Sequence, residues 1–169
     1  MIRIRYNGDL AGGVRPRVGR HGMYYTKKQL DFRRAVRQSL EGVDWSALND
    51  APLRVDMHAF YQAPKRQKET IAWKYTRPDV DNLLKPVYDS LFKLRRKREG
   101  SKRWDDDLID AIDIDDSRIV QASITKYSTH DNRLLGFVMT ISNINEPAES
   151  TLEGVLRHFY DDEVLDDYR

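Results

Sequence analysis

The 169-residue chain contains no cysteine. That absence removes disulfides, thiolate metal sites, cysteine nucleophiles and iron–sulfur clusters together, and it sets the expectation of a cytoplasmic setting. Long apolar runs are missing too. The longest stretch without a charged residue is the twelve residues from Leu134 to Asn145, too short for a helix to span a bilayer, so no membrane association is expected. The N-terminus alternates Met1, Ile2, Arg3, Ile4, Arg5 instead of opening on an apolar segment, and no secretory signal is expected. The chain has neither a Gly-x-Gly-x-x-Gly nor a Gly-x-x-x-x-Gly-Lys-Ser/Thr loop, and none of its four histidines (His21, His58, His130, His158) lies in a His-Glu-x-x-His or Gly-x-Ser-x-Gly setting. Nucleotide-cradling folds, zincin sites and nucleophile-elbow hydrolases are thereby demoted.

What the chain does have is charge. Asp, Glu, Lys and Arg make up 33% of it, and the mean hydropathy is −0.72. Leu, Ile, Val and Phe still supply about a quarter of the residues, enough for one folded domain and more than a disordered chain carries. The net charge of +2 conceals a segregation. Residues 1–40 hold ten basic and two acidic side chains, and residues 63–103 hold thirteen basic and five acidic; seven aspartates lie between Asp105 and Asp116, and residues 146–169 carry eight acids against two bases. Segregated positive charge points to a polyanion, because each cation that neutralises a phosphate also releases counterions.

Periodicity orders the elements. Ile2, Ile4 and Tyr6 alternate with polar residues as a half-buried strand, which Asn7-Gly8 ends. Ala11 to Tyr25, with four glycines and Arg15, Arg17, Arg20 and His21, reads as a flexible basic loop. Thr26-x-x-Gln29 fits a capping box ahead of the helical stripe Phe32, Ala35, Val36, Leu40, which turns Arg33, Arg34 and Arg37 toward solvent. Leu53, Val55, Met57, Ala59 and Tyr61 alternate as a second strand, with His58 facing away from the core as an exposed or satisfied histidine. A second helix follows from Val80, Leu83, Leu84, Val87, Tyr88 and Leu91, either starting near Asp81 or kinking at Pro86. Val120, Ala122 and Ile124 form a third strand, and Leu135, Phe137, Met139 and Ile141 a fourth. The short connection between these two predicts an antiparallel hairpin. Leu152, Val155, Leu156 and Phe159 make a short amphipathic helix before an acidic tail. The resulting expectation is an α+β fold: a small mixed sheet in β-α-β-α-β-β order with two helices, a domain over 1–145, and a C-terminal helical and acidic extension over 146–169.

The segment with chemical content is Arg77-Pro78-Asp79-Val80-Asp81-Asn82-Leu83-Leu84-Lys85. Pro78 disfavours helix at Arg77, and Asp81 or Asn82 is a good N-cap, so Asp79 and Asp81 are placed on an extended lead-in where both carboxylates converge. Lys85, one turn beyond Asp81, reaches the same point. Paired carboxylates repel unless a cation lies between them, and hard oxygen donors favour magnesium, with manganese as an alternative. A plain alternative is that both acids complement the helix dipole. A third acid is available in Asp113-Ile114-Asp115-Asp116-Ser117-Arg118-Ile119-Val120, whereas Asp105, Asp106, Asp107 and Asp110 read mainly as solvated loop residues. Neither segment fits an EF-hand: the glycine position after Asp113 holds Arg118, and a ligand position after Asp79 holds Leu83.

Asp79-Val80-Asp81-Asn82-Leu83-Leu84-Lys85, with Asp89 further along the helix and Ile114-Asp115-Asp116-Ser117-Arg118-Ile119-Val120 after it, resembles the RusA family of Holliday-junction resolvases. The likeness covers residues 19–143. It implies a homodimeric, magnesium-dependent endodeoxyribonuclease that binds four-way DNA junctions and nicks opposed strands. Carried over by position, Asp79, Asp81 and Asp116 are the metal-binding catalytic acids and Lys85 the essential lysine; Asp89 and Asp115 are either extra ligands or groups behind the ligands, or else surface or capping residues. The basic residues assigned to DNA are Arg15, Arg17, Arg20, Lys27, Lys28, Lys74 and Arg77. The connection from Lys93 to Ala111 is longer and more charged than the family's usual short turn. A non-enzymatic branched-DNA-binding protein, and a magnesium nuclease acting on another branched nucleic acid, are the competing readings.

Overall fold

Five strands form one mixed sheet in a computed structural model of the chain, which describes residues 1–10, 17–20, 22–24, 26–48, 50–91, 114, 116–147, 151–157 and 159–160. In chain order the elements are β1 (Ile2–Asn7), β2 (Arg17–Gly19), β3 (Gly22–Tyr24), α1 (Lys27–Gln38), β4 (Leu53–Gln62), β5 (Ile71–Trp73), α2 (Val80–Leu91), β6 (Ile119–Thr129), β7 (Gly136–Asn143) and α3 (Leu152–Leu156). The sheet order is β1-β7-β4-β6-β5, and β2 pairs with β3 as a separate two-stranded ribbon. The α+β class and the six principal elements are as expected. Part of the supposed flexible basic loop is instead the β2–β3 ribbon, and the basic stretch after β4 contains the edge strand β5. Three-residue strands carry too little alternation to be read from sequence.

The expected hairpin between β6 and β7 does not form. β4 lies between them, parallel to β6 and antiparallel to β7. Neighbouring strands are about 4.8 Å apart, so the connection need cross only about 10 Å, which residues 130–135 span by way of a helical turn at Asn132–Leu134. β7 is buried along seven of its eight residues and is bordered on both edges, by β1 and by β4. Its first residue, Gly136, has φ +125°, and a Cβ there would fall 1.9 Å from the Tyr6 carbonyl oxygen; no larger residue fits.

One sheet face supports α1 and α2. Ile2, Ile4, Tyr6, Val55, Met57, Ala59, Phe137, Met139 and Ile141 meet Phe32, Val36, Leu83, Val87 and Leu91 in the main core. The Thr26 capping box is present, with the Thr26 amide donating to Gln29 Oε1 at 2.6 Å. α1 does not turn its arginines outward as expected. Arg33 is buried, and Arg37 donates from Nε to the Ser90 carbonyl of α2 at 2.9 Å, because α1 packs along α2. Of the three, only Arg34 is exposed. α2 begins at Val80 and continues through Pro86, which falls in its second turn. In β6 the register slips between Leu53↔Ile119 and Arg54↔Gln121. Val120, expected in the core, is left unpaired by this bulge and is 61% exposed, while Ile119 packs inward.

The other sheet face carries a smaller cluster in which Val155, Leu156 and Tyr160 cover Phe60, Tyr127, Leu134 and Val138. The Tyr160 hydroxyl donates to Asp131, which also pairs with Arg133, and the Arg5 guanidinium lies 3.9 Å over the Phe159 ring. His58 is buried on this face, stacked on Tyr127 with centroids 5.9 Å apart. It is neither exposed nor satisfied as expected: among the described residues its Nδ1 has no hydrogen-bond partner. Burial holds its pKa below the ordinary value, against the opposing charge of Asp56.

Two outcomes follow. Leu156→Ala removes a buried side chain from the smaller cluster and should cost about 2–3 kcal/mol, read as a Tm drop of about 5–10 °C. As pH falls through about 6.5, the unfolded chain takes up a proton at His58 before the folded one does, so stability declines with acidification. His58→Gln should flatten the Tm loss between about pH 7.5 and about 5.5, and an unchanged slope would place the proton uptake elsewhere.

Candidate functional site

β4 and β6 are parallel, so the chain between them crosses from one sheet end to the other, and α2 lies on that path. The lead-in to α2 is held by a residue that sequence reasoning missed. Lys126, in β6, donates from Nζ to the Thr76 carbonyl at 3.0 Å and the Pro78 carbonyl at 2.6 Å. Its register partner is Ala59, so it stands on the helix-bearing face. A lysine in phase with Ala122 and Ile124 was the available signal: an inward charge in an apolar alternation is retained for what it binds. Lys74 lies beside it, with its backbone N–H donating to the Lys126 carbonyl at 2.9 Å and its Nζ to Thr76 Oγ1 at 2.9 Å. Burial and then the neighbouring Lys126 charge lower the Lys74 pKa. The Arg77–Pro78 peptide in this loop is cis.

Asp79 immediately precedes the helix and is exposed. Asp81 is not on the extended lead-in; it is the second residue of α2, which starts at Val80, ahead of the Asp81 or Asn82 cap which that geometry requires. Lys85 follows one turn later and is exposed. Asp116 occupies a helical turn, Asp116–Arg118, directly before β6, and is also exposed. Tyr88 shares a helix face with Asp81 and Lys85 by spacing. Burial raises its phenol pKa, and the charges of Asp56 and Asp116 add to the effect. Asp116 is therefore within electrostatic reach of α2 at Tyr88, while Asp79 sits nine residues earlier, about 13 Å along the helix axis. The side chains of Asp81 and Asp89, and all of Asp115, lie outside the described residues, as do the 93–111 connection and Asp105 to Asp110.

Neither Asp79 nor Asp116 has a hydrogen-bond or ion-pair partner among the described residues, and no cluster of three acidic or histidine side chains gathers among them. Toward the described residues both carboxylates keep their lone pairs open. Hard, exposed oxygen donors of this kind fit a divalent cation such as magnesium.

The basic residues are less uniform than expected. Arg20 is exposed at the turn of the β2–β3 ribbon, and Lys27 and Arg77 are exposed. Lys28 is exposed but pairs with Asp9 at 3.1 Å. Lys74 lies 5.1 Å over the Tyr61 ring, whose phenol pKa is raised by burial and by Asp9. Lys28, Asp9, Tyr61 and Lys74 therefore gather at the C-terminal end of β4. Arg15 and the side chain of Arg17 lie outside the described residues.

Lys126→Met should free the loop. A hydrogen bond to a charged donor contributes about 1.5–3 kcal/mol, so amide exchange across residues 76–82 should rise by about tenfold or more, with Lys126→Arg intermediate. Unchanged exchange there would deny Lys126 its holding role.

The family model for endodeoxyribonuclease RusA matches residues 8–135. A curated relative, described as crossover junction endodeoxyribonuclease rusA from Lactococcus phage r1t, is 40% identical over 53 residues, which is 31% of this chain and 40% of the relative. The match thus spans less than half of that relative's length. No solved structure matches significantly. The family match takes in β4, β6, α2 and both acidic segments, and on that span the chain belongs to the endodeoxyribonuclease RusA family.

Proposed function

We propose that this chain is a divalent-metal-dependent endodeoxyribonuclease that resolves four-way DNA junctions as a homodimer, nicking two opposed strands. The observation that carries this reading is that two exposed carboxylates within the matched span, Asp79 and Asp116, have no hydrogen-bond or ion-pair partner among the described residues. The family description and the phage relative's name supply the substrate class. A two-fold-symmetric junction calls for two sites related by a two-fold axis, and closed two-fold pairs are the commonest assembly.

Asp79, Asp81 and Asp116 would hold the metal, with Asp89 and Asp115 supporting them. A bound magnesium or manganese ion would polarise the phosphoryl oxygen and lower the pKa of a water. The protein's own part is positioning and charge. Lys85 offsets negative charge on the phosphate and acts as an electrostatic stabiliser. Lys126 holds the backbone before Asp79, so that the carboxylate would meet a divalent cation without reordering the loop. Arg20, Lys27, Lys74 and Arg77, with Arg15, Arg17 and Lys28, set affinity for the DNA backbone without reading sequence.

The test compares four-way, flap and linear duplex DNA with magnesium and with EDTA. Asp79→Asn, Asp81→Asn and Asp116→Asn should each cut junction nicking by about 100-fold or more while junction binding stays equal or tightens, because each removes a charge that repels phosphate. Lys85→Ala should lose nicking with a small affinity loss, and Asp106→Asn and Asp107→Asn should leave it intact. Retained cleavage in the three acid variants would move the site elsewhere. A wild-type chain that binds branched DNA but never nicks it would make this a binding protein.

A further inference from the structure

Two large aromatic side chains stand in the open beside the cationic loop. Trp73, the last residue of the edge strand β5, is 71% exposed, and Tyr75 is 90% exposed. The cost of leaving an indole and a phenol ring in water calls for an occupant. Trp73 is propped: its ring packs at 5.2 Å and 30° on Tyr127, which stacks in turn on Phe60 at 5.1 Å. One flank of the indole thus rests on the buried aromatic cluster while most of its surface stays in solvent. Five basic side chains (Lys65, Arg66, Lys68, Lys74, Arg77) and one acidic side chain, Glu69, lie between Pro64 and Arg77. The surroundings therefore favour a polyanion over an apolar protein surface.

We propose that Trp73 and Tyr75 form a stacking platform for a nucleobase exposed at the branch point of DNA, and so help distinguish a junction from a continuous duplex. This rests on the junction reading above. In a continuous duplex each base is already stacked on both sides and offers no free face, whereas at a branch point the stack is interrupted. An aromatic ring accepts any base there, since every base has a π-face, and such stacking contributes about 1–3 kcal/mol per base. Reach is adequate. Tyr75 lies four residues before Asp79, so their Cα atoms are at most about 14 Å apart, which is about four base steps of a strand. A phosphate contacted at Lys74 or Arg77 would then belong to the same stretch of strand as the stacked base.

The test measures dissociation constants in EDTA for a four-way junction and for a linear duplex, using wild type, Trp73→Ala, Tyr75→Ala, the double variant and Trp73→Phe. It adds photocrosslinking to junctions carrying 5-iododeoxyuridine either at the branch point or within an arm. Stacking predicts a weakening of about 10–100-fold for the junction in the double variant, a change within about twofold for the duplex, retention in Trp73→Phe, and branch-point crosslinks at Trp73 or Tyr75. Equal losses on both DNAs, no loss on either, or crosslinks elsewhere would overturn the platform. So would an altered oligomeric state by light scattering, which would assign the aromatics to a contact between copies. A double variant that keeps the wild-type junction preference defeats the platform alone; a wild type with no preference for junctions defeats the junction reading as well.

Discussion

Parallel pairing between β4 and β6 is the constraint from which the rest of this structure follows. Two parallel neighbours cannot be joined by a tight turn, so the chain must travel the length of the sheet and return. That return carries β5, the Lys126-bound loop, α2 and the turn at Asp116. Every motif acid is therefore on the crossover or at its ends. The core beneath it, where Leu83, Val87 and Leu91 of α2 meet Val55, Met57 and Ala59 of β4, holds the helix in place while Asp79 and Lys85 remain in solvent.

Charge on this crossover is distributed unevenly, and the unevenness is useful. The cations near the loop have structural partners: Lys126 binds two carbonyls, Lys74 binds Thr76 and faces Tyr61, and Lys28 pairs with Asp9. The acids Asp79 and Asp116 do not, among the described residues. With no protein cation paired to them among the described residues, these carboxylates would surrender no partner to an incoming cation, as salt-bridged ones would have to. In the function proposed above, the basic side chains of this region would draw the phosphate backbone toward the same place.

Much of this was legible in the sequence, and the failures are informative. Amphipathic stripes in α1, α2 and α3 and the alternation in β1 were readable because each of these elements buries one face, and β4, though buried on both faces, still alternates apolar residues with Arg54, Asp56 and His58. The β6–β7 hairpin was misread because loop length measures how far a chain can go and not which neighbour it finds; burial of both β7 faces is a tertiary fact. Val120 was misassigned because a bulge shifts the period without leaving a local mark. The sequence does not distinguish Arg33 and Arg37 from a solvated face, since polar flanks of a helix look alike until the second helix packs beside one of them. At the site, Asp79, Asp81, Lys85 and Asp116 stood out by residue type and spacing. Lys126 did not, because its role depends on the backbone of a segment fifty residues away.

The central claim, that the acids around the start of α2 and before β6 hold a divalent cation, is tested most directly by titrating manganese into the isotopically labelled chain and following paramagnetic broadening of backbone amide resonances. The account predicts loss of signal centred on residues 78–85 and 115–119 at low manganese, reversed by excess magnesium and absent in Asp79→Asn. Broadening centred on the aspartates between Asp105 and Asp110, or spread evenly over the acidic tail, would contradict it.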